Sequence, residues 1–325
     1  MKYFITGATG FIGSWIVHQL AKDKKNEITC YVRNLAKTTM LPQDSVSFIE
    51  GDITDSKAVR DAMVGTDMVI HAAGVVRHAV IRKKDLYDTN ILGTRAVFNA
   101  AYELGIKKVV YIGSAGIYHP TRESTATIDS IVPTEHKNYY AHTKYVAHTI
   151  ADEYSNKGLS VVEILPVSVY GEGSPLFAEL FDFLLKYRIF TKQLASKRIS
   201  LVHADDVAQL TVQATDEIDE SRMFIASYRD VSLCDMIQLL EKRSGKRIHI
   251  LPVPSICMWL FVRMLDLVSW VTRVHFYLNS QNYNFINGNM VASGVQTIEE
   301  FGWEQKDFDL HIARMVDWYL GQKNK

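Results

Sequence analysis

The sequence predicts an α/β protein: a doubly wound parallel sheet with a smaller, interleaved carboxy-terminal lobe. Three observations predict it. From residue 2 to about 165, short apolar and β-branched runs alternate with longer helical patterns, the order in which parallel strands and crossover helices are laid down. A glycine-rich turn, Thr6-Gly7-Ala8-Thr9-Gly10-Phe11-Ile12-Gly13, joins the first run to the first helical pattern. After Pro166 the alternation loosens, and Pro252 and Pro254 break the chain before a long apolar helical stretch.

Taken in order, strands are expected at Lys2–Thr6, Glu27–Arg33, Val46–Glu50, Asp67–His71, Lys107–Ile112 and Ser160–Leu165, and helices at Phe11–Lys22, Lys57–Val64, Tyr87–Leu104 and Tyr139–Asn156. Several of these strands lack polar alternation, as expected where helices cover both faces of a sheet. Further strands are expected near Arg198–Val207 and Met223–Ser227. Residues 1–165 therefore form the dinucleotide-binding (Rossmann) domain, with strands returning from about 198–227, and 166–197 with 228–325 form a substrate lobe. The sequence shows neither an internal repeat nor a low-complexity segment.

Composition narrows the classes of function. The 325 residues are 47% hydrophobic and 22% charged, too apolar for disorder. Thirty-six basic side chains balance 36 acidic ones, so no global field favours nucleic acid, and the runs Lys22–Lys25 and Arg82–Lys84 are too short to supply one locally. Cys30, Cys234 and Cys257 are an odd, widely spaced set without a Cys-x-x-Cys pair, which predicts no metal and a reducing compartment. The chain enters a strand at Lys2, leaving no room for a secretory leader, so the expected location is cytoplasmic.

The glycine-rich turn carries the first functional expectation. Gly7 permits a tight turn, Gly10 lets a phosphate approach the backbone, and Gly13 lets the helix pack closely on the strand, while the helix N-terminus attracts negative charge. Thr9, Phe11 and Ile12 belong to the same turn and complete its candidate cofactor set. About twenty residues beyond Gly13, where NAD-specific folds present an acid to the ribose hydroxyls, this chain has Arg33. A guanidinium pairs with a 2′-phosphate through two N–H donors, so NADP is the expected cofactor, with NAD as the alternative and Lys37 as a second cation. Asp52 and Ile53 follow the third strand, where they flank the adenine; His71, Ala72, Ala73 and Gly74 close the fourth, where small residues let the backbone approach the cofactor.

Tyr140 and Lys144 are four apart, hence on one face of a helix. A free tyrosine titrates near pH ~10, and a neighbouring ammonium and a positive nicotinamide are expected to favour its phenolate. Tyr139 lacks such a lysine partner. Ser114, after the fifth strand, falls at the carboxyl edge of the sheet, where its hydroxyl can donate to a substrate carbonyl beside Tyr140.

With Asp88–Thr94, Leu165–Gly171 and Val202–Ala208 added in the same order, the chain resembles the extended short-chain dehydrogenases/reductases, the superfamily of the NAD-dependent epimerases/dehydratases, over nearly its whole length. That resemblance implies a catalytic trio of Ser114, Tyr140 and Lys144, a water-mediated proton relay through Asn90, and a nicotinamide bordered by Pro166 and Val169. It also implies dimerisation through a four-helix contact. Departures narrow the chemistry. Dehydratases of this superfamily carry Asp-Glu directly after the active-site hydroxyl residue, whereas Ala115-Gly116 follow Ser114 here. Leu165 stands where many sugar-nucleotide epimerases have arginine, and Arg198 is one residue out of register with their diphosphate-binding arginine. What remains is nearest the 3β-hydroxysteroid dehydrogenase and dihydroflavonol reductase branch. It implies reversible reduction of a ketone on a largely apolar small molecule, hydride coming from nicotinamide and the proton from Tyr140. The alternatives are an NAD-dependent sugar-nucleotide 4-epimerase and a non-catalytic NADP-sensing protein.

The stretch Ile256–Leu278 follows Pro254, with Ser255 as its expected N-cap. Arg263, Asp266 and Arg273 fall in one narrow sector of an otherwise apolar helix. Either it packs over the lobe with its charged stripe in water, or its apolar face roofs a substrate pocket or makes a peripheral membrane contact.

Overall fold

The computed structural model describes residues 1–76, 82–118, 125–130, 138–272, 279, 280, 283, 288, 290–303 and 307–323. Arg273 and the end of the expected 256–278 helix lie outside them. The first half alternates β1 (Lys2–Thr6), α1 (Phe11–Leu20), β2 (Glu27–Val32), β3 (Val46–Glu50), α2 (Ser56–Met63), β4 (Met68–His71), α3 (Lys83–Tyr87), α4 (Thr94–Glu103), β5 (Lys108–Ile112), α5 (Tyr139–Asn156) and β6 (Ser160–Pro166). There follow β7 (Ser168–Tyr170), α6 (Pro175–Tyr187), β8 (Ile189–Thr191), α7 (Lys192–Ala195), β9 (Arg198–His203), α8 (Ala204–Glu217), β10 (Arg222–Ala226), β11 (Arg229–Ser232), α9 (Leu233–Ser244), β12 (His249–Leu251), α10 (Ser255–Thr272), α11 (Val295–Phe301) and α12 (Phe308–Lys323).

Seven parallel strands form one sheet in the order β10-β6-β5-β4-β1-β2-β3. Connections leave β1 towards opposite edges, so the topological switch point, where such sheets open a crevice for ligands, lies at the carboxyl ends of β1 and β4. The apolar runs are continuous because both faces are covered. Ile5, Ile70 and Val110 face α1 and α8, whereas Phe4, Val69 and Val109 face α4 and α5. Each such side chain removed from water stabilises the fold by about 1.5–3 kcal/mol. A second core joins β7 and β9 to α6, α9 and α12 around Tyr170, Phe181, Leu240 and Val316.

Three expectations need correction. Arg198–Val207 is not one strand of the main sheet: β9 stops at His203, whose ring accepts from the Asp205 N–H at 3.2 Å and starts α8. β9 pairs instead with β7 and β11 in a separate three-stranded sheet, and only Arg222–Ala226 returns to the seven-stranded one. The expected helix Tyr87–Leu104 is extended backwards by α3 and is not α-helical throughout, because Asp88–Gly93 form a π-turn that joins α3 to α4 without a break. Lastly, α10 begins at Ser255 itself, and of its two described charges Arg263 lies in solvent whereas Asp266 does not. Its mid-helix Val262 is buried against Leu194 and Tyr283, and the Asp266 carboxylate turns towards the protein, accepting from the Ser280 N–H at 3.2 Å. Most of its apolar side is left in solvent rather than packed on the lobe.

Candidate active site

At the carboxyl edge of the sheet the β1–α1 turn is built so that only glycine fits. Gly7 has φ +75°, and a Cβ there would lie 2.5 Å from the Ala72 carbonyl; at Gly13 one would lie 2.1 Å from the Gly7 oxygen. Gly10 donates to the Gly7 carbonyl at 2.9 Å and precedes α1 without a side-chain cap. The N–H groups of the first turn, among them those of Phe11, Ile12 and Gly13, therefore have no side-chain acceptor from the cap and open on the crevice, a cradle that fits a dinucleotide pyrophosphate. Thr9 lies within the same turn.

Arg33 comes directly after β2 and is exposed. It lies close enough to Asp52 to act on it. The two Thr54 hydrogen bonds hold the Asp52 carboxyl below its ordinary range, burial opposes them, and the Arg33 charge adds to the lowering. Asp52 Oδ1 accepts from Thr54 N at 2.9 Å and Thr54 Oγ1 at 2.7 Å, so that oxygen is committed to its own turn rather than presented to an adenine. Ile53 packs against the backbone of Gly93. The four residues expected to close β4 separate into two roles. The His71 ring is wholly buried, with Nδ1 2.7 Å from Thr6 Oγ1 and Nε2 2.9 Å from Thr94 Oγ1. Burial, aided by Lys144, pushes it down to about 3, so it is neutral, and only its backbone is placed to meet a cofactor. Ala72, Ala73 and Gly74 line the crevice beside the Gly7 turn and Lys144.

The catalytic trio expected from sequence is brought together. Asn138 caps α5, its Oδ1 accepting from the Ala141 N–H at 3.1 Å, and so fixes the first turn that carries Tyr140. The Tyr140 hydroxyl donates to Ser114 Oγ at 3.4 Å, a long contact of the kind that tightens once substrate is bound. Ser114 also accepts from the Gly116 N–H at 3.1 Å. Tyr139 is turned away, its ring lying under Lys83. One turn on, the buried Lys144 ammonium donates to the Ile112 carbonyl at 3.2 Å and stands 5.4 Å from the centroid of the Tyr111 ring.

The electrostatics depart from the sequence expectation. Burial raises Tyr140 above its ordinary value and the Ser114 hydrogen bond offsets this only in part; the lysine is not among the groups that move it. Lys144 is itself pushed down to about 8 by burial, against the supporting charge of Glu163. In the cofactor-free chain Tyr140 is therefore a phenol at neutral pH, a proton donor rather than a phenolate.

Asn90 has a more structural place than a relay through water requires. It sits in the π-turn, where Oδ1 accepts from Val75 N at 2.7 Å, while Nδ2 donates to Val75 O and to Thr143 Oγ1, both at 3.1 Å. It ties the loop after β4 to the catalytic helix. Pro166 ends β6 two residues beyond Ile164, the register partner of Ile112 on β5, and Val169 is half-buried in β7. Sequence reasoning missed Thr143, Tyr111, Glu163 and His148. A carboxylate within the apolar run Ser160–Pro166 was the available signal for the last two, because a buried charge needs a partner.

Comparison with known proteins identifies the family and the fold. The family described as NAD dependent epimerase/dehydratase matches residues 3–226. Cinnamoyl-CoA reductase 1 of Oryza sativa subsp. japonica is 27% identical over 262 residues, which span 73% of this chain and 74% of the reductase. The 3 beta-hydroxysteroid dehydrogenase type 7 of Mus musculus is 26% identical over 238 residues, 68% of this chain and 64% of the other. Among solved structures, the UDP-glucose 4-epimerase of Thermus thermophilus, in complex with NAD, is similar with a TM-score of 0.77 at 20% identity over 99% of each chain, a likeness of fold.

Proposed function

This chain belongs to the NAD dependent epimerase/dehydratase family, within the extended short-chain dehydrogenases/reductases, and from that premise we propose that it is an NADP(H)-dependent reductase of ketones on apolar small molecules. The observation that carries the reading is the Tyr140 hydroxyl, held protonated by burial and hydrogen-bonded to Ser114 at 3.4 Å. A reductase needs an acid beside the nascent alkoxide, and a raised phenol is one at neutral pH. Ser114 holds the carbonyl oxygen, and Tyr140 gives it the proton. Lys144, charged below about 8, keeps a cation behind the tyrosine as that proton leaves. Bound nicotinamide supplies the two-electron reducing equivalent, and the Gly7–Gly13 cradle with Arg33 would hold its dinucleotide. NADP is favoured by Arg33 because no carboxylate stands at that position to repel a 2′-phosphate.

Two features support a ketone over a sugar nucleotide. Arg198, the nearest candidate for gripping a diphosphate, is paired with Asp230 at 3.7 Å. Beyond Ser114 the chain runs into an apolar cluster of Ile117, Tyr118, Leu165, Ile225 and Ala292. A third disfavours dehydration, because Ala115 and Gly116 place no carboxylate next to Ser114. The test is to incubate the protein with NADPH and, separately, with panels of hydrophobic ketones and nucleotide sugars. Stoichiometric loss of nicotinamide absorbance with a ketone is expected. Conversion of a nucleotide sugar with no net change in that absorbance would replace this reading by an epimerase.

A further inference from the structure

The helix α10 is built the wrong way round for water. Its 18 residues have a mean hydropathy of 1.4, yet only 6% of them are buried. The seam that holds it to the lobe is narrow, consisting of Met258, Val262, Leu265, Asp266 and Ser269, and it contains an acidic residue. Facing away are Trp259, Trp270, Leu267, Leu260, Met264 and Phe261, all exposed, with Trp270 at 72%. At about 100° per residue these six span an arc of roughly 200°. Among the exposed residues of that arc only Arg263 is charged, and its guanidinium lies 5.5 Å from the centroid of the Trp259 ring, with the stem along the apolar surface.

The width of that arc identifies its occupant. A partner helix or a protein groove covers one stripe of about 100°, and so does a second copy packed through the same helix. A medium that is apolar from every side covers 200°. The surroundings agree in sign. Phe190, on β8, joins Met258 against the buried seam, and Ile189 and Leu251 continue the exposed apolar surface on β8 and β12. The chain from 186 to 192 carries Lys186, Arg188 and Lys192 with no carboxylate, and that from 244 to 251 carries Lys246 and Arg247 with none. Cations rimming an apolar surface match anionic headgroups around acyl chains. The helix does not cross the bilayer, because Val262 at its middle is 1% exposed and anchored to Leu194 and Tyr283.

We propose that α10 lies in the plane of one leaflet of an anionic lipid bilayer, its outer arc among the acyl chains and the 186–192 and 246–247 cations at the headgroups. None of the residues of this surface is among those of the Tyr140 site, so the proposal does not depend on the reaction proposed above. The experiment is flotation of the full-length protein with vesicles of phosphatidylcholine, alone or mixed with phosphatidylglycerol. The protein is expected to float, more so on the anionic vesicles at low salt, with tryptophan fluorescence quenched by brominated acyl chains. The double variant Leu267→Glu/Trp270→Glu should keep cofactor affinity and melting temperature while flotation falls about tenfold or more. If that variant does not fold, Arg188→Glu/Lys192→Glu serves in its place and should lose the increment due to anionic lipid. Protein that stays unbound on both vesicles overturns the proposal. So does a lipid-free dimer that the helix variant converts to monomer without any vesicle binding by the wild type.

Discussion

Tyr111 and Glu163 are register partners on the adjacent strands β5 and β6, and both reach towards α5 directly beneath Lys144. The register continues across the sheet, since Thr6 pairs with His71 and His71 with Tyr111. Four polar or aromatic residues thus form one row across β1, β4, β5 and β6. The His71 ring stacks on Tyr111 at 5.2 Å between centroids, and Glu163 Oε2 meets His148 Nδ1 at 2.6 Å. Glu163 Oε1 has no hydrogen-bond partner among the described residues and lies where a Cβ on Gly113 would come within 2.5 Å of it. Gly113 links Ile112, the acceptor of Lys144, to Ser114. The carboxylate therefore adjoins the backbone that holds both ends of the trio.

Glu163→Gln removes the negative charge that supports the Lys144 ammonium while keeping side-chain volume. Lys144 should then titrate below its present value of about 8. The alkaline limb of the pH–rate profile should move to lower pH, and turnover near pH 8 should fall by about fivefold for a shift of one pKa unit. Binding of NADP(H) at pH 6, where the lysine stays charged, should hardly change. An alkaline limb that stays in place would remove Glu163 from the site's electrostatics.

The same carboxylate, through His148, predicts a pH dependence of stability. Burial pushes His148 down, but the hydrogen bond and charge of Glu163, with the charge of Asp152, outweigh it, so the folded value is raised. A histidine raised on folding contributes stability that is complete below its unfolded value of about 6.5 and is lost as pH rises through the folded value. His148→Gln should therefore cost about 1–3 kcal/mol at pH 6 and progressively less towards pH 9. Urea titrations of both proteins across that range provide the check. A difference that grows with pH would reverse the assignment.

Much of this site was legible in the sequence, and the reasons are local. The glycine spacing and the Tyr140–Lys144 offset are short-range constraints that a turn and a helix express directly. The limits of the six strands expected before residue 167 missed by no more than a residue or two, as at Arg33, Asp67 and Lys107, because helices on both faces demand continuous apolar runs. The failures are all tertiary. Nothing in residues 87–104 distinguishes a π-turn from a helix until Asn90 must bond to Val75 and Thr143. Arg198–His203 reads as a strand but does not reveal which sheet it joins. Amphipathicity left the apolar side of α10 free to meet the lobe, a pocket or a membrane, because periodicity alone does not say which medium it faces.

Tyr140→Phe keeps the ring and removes the proton donor to Ser114. Turnover should fall by about 10²–10⁴-fold, the usual contribution of a positioned acid, while cofactor affinity stays within a few-fold. Ser114→Ala should also lower turnover, because the carbonyl loses its anchor. Steady-state rates joined with calorimetric cofactor titrations separate these effects. Activity of Tyr140→Phe near the wild-type rate would transfer the acid role elsewhere.

Choice of dinucleotide rests on a single strand end. Arg33 follows β2 in solvent, within electrostatic reach of Asp52, on the side of the sheet where β1, β2 and β3 present their carboxyl ends. A 2′-phosphate at that edge meets a guanidinium fork, whereas a ribose bearing only hydroxyls gains less from it. Arg33→Asp reverses both interactions, because a carboxylate accepts from ribose hydroxyls and repels phosphate. Wild-type protein should bind NADPH more tightly than NADH by about tenfold or more, and the variant should invert that order with little loss of NADH affinity. Since the Gly7–Gly13 cradle is untouched, the variant also separates loss of phosphate recognition from loss of the site as a whole. Calorimetric titration of both cofactors against both proteins decides it: an equal or tighter grip on NADH by the wild type would withdraw the NADP assignment and strengthen the epimerase reading.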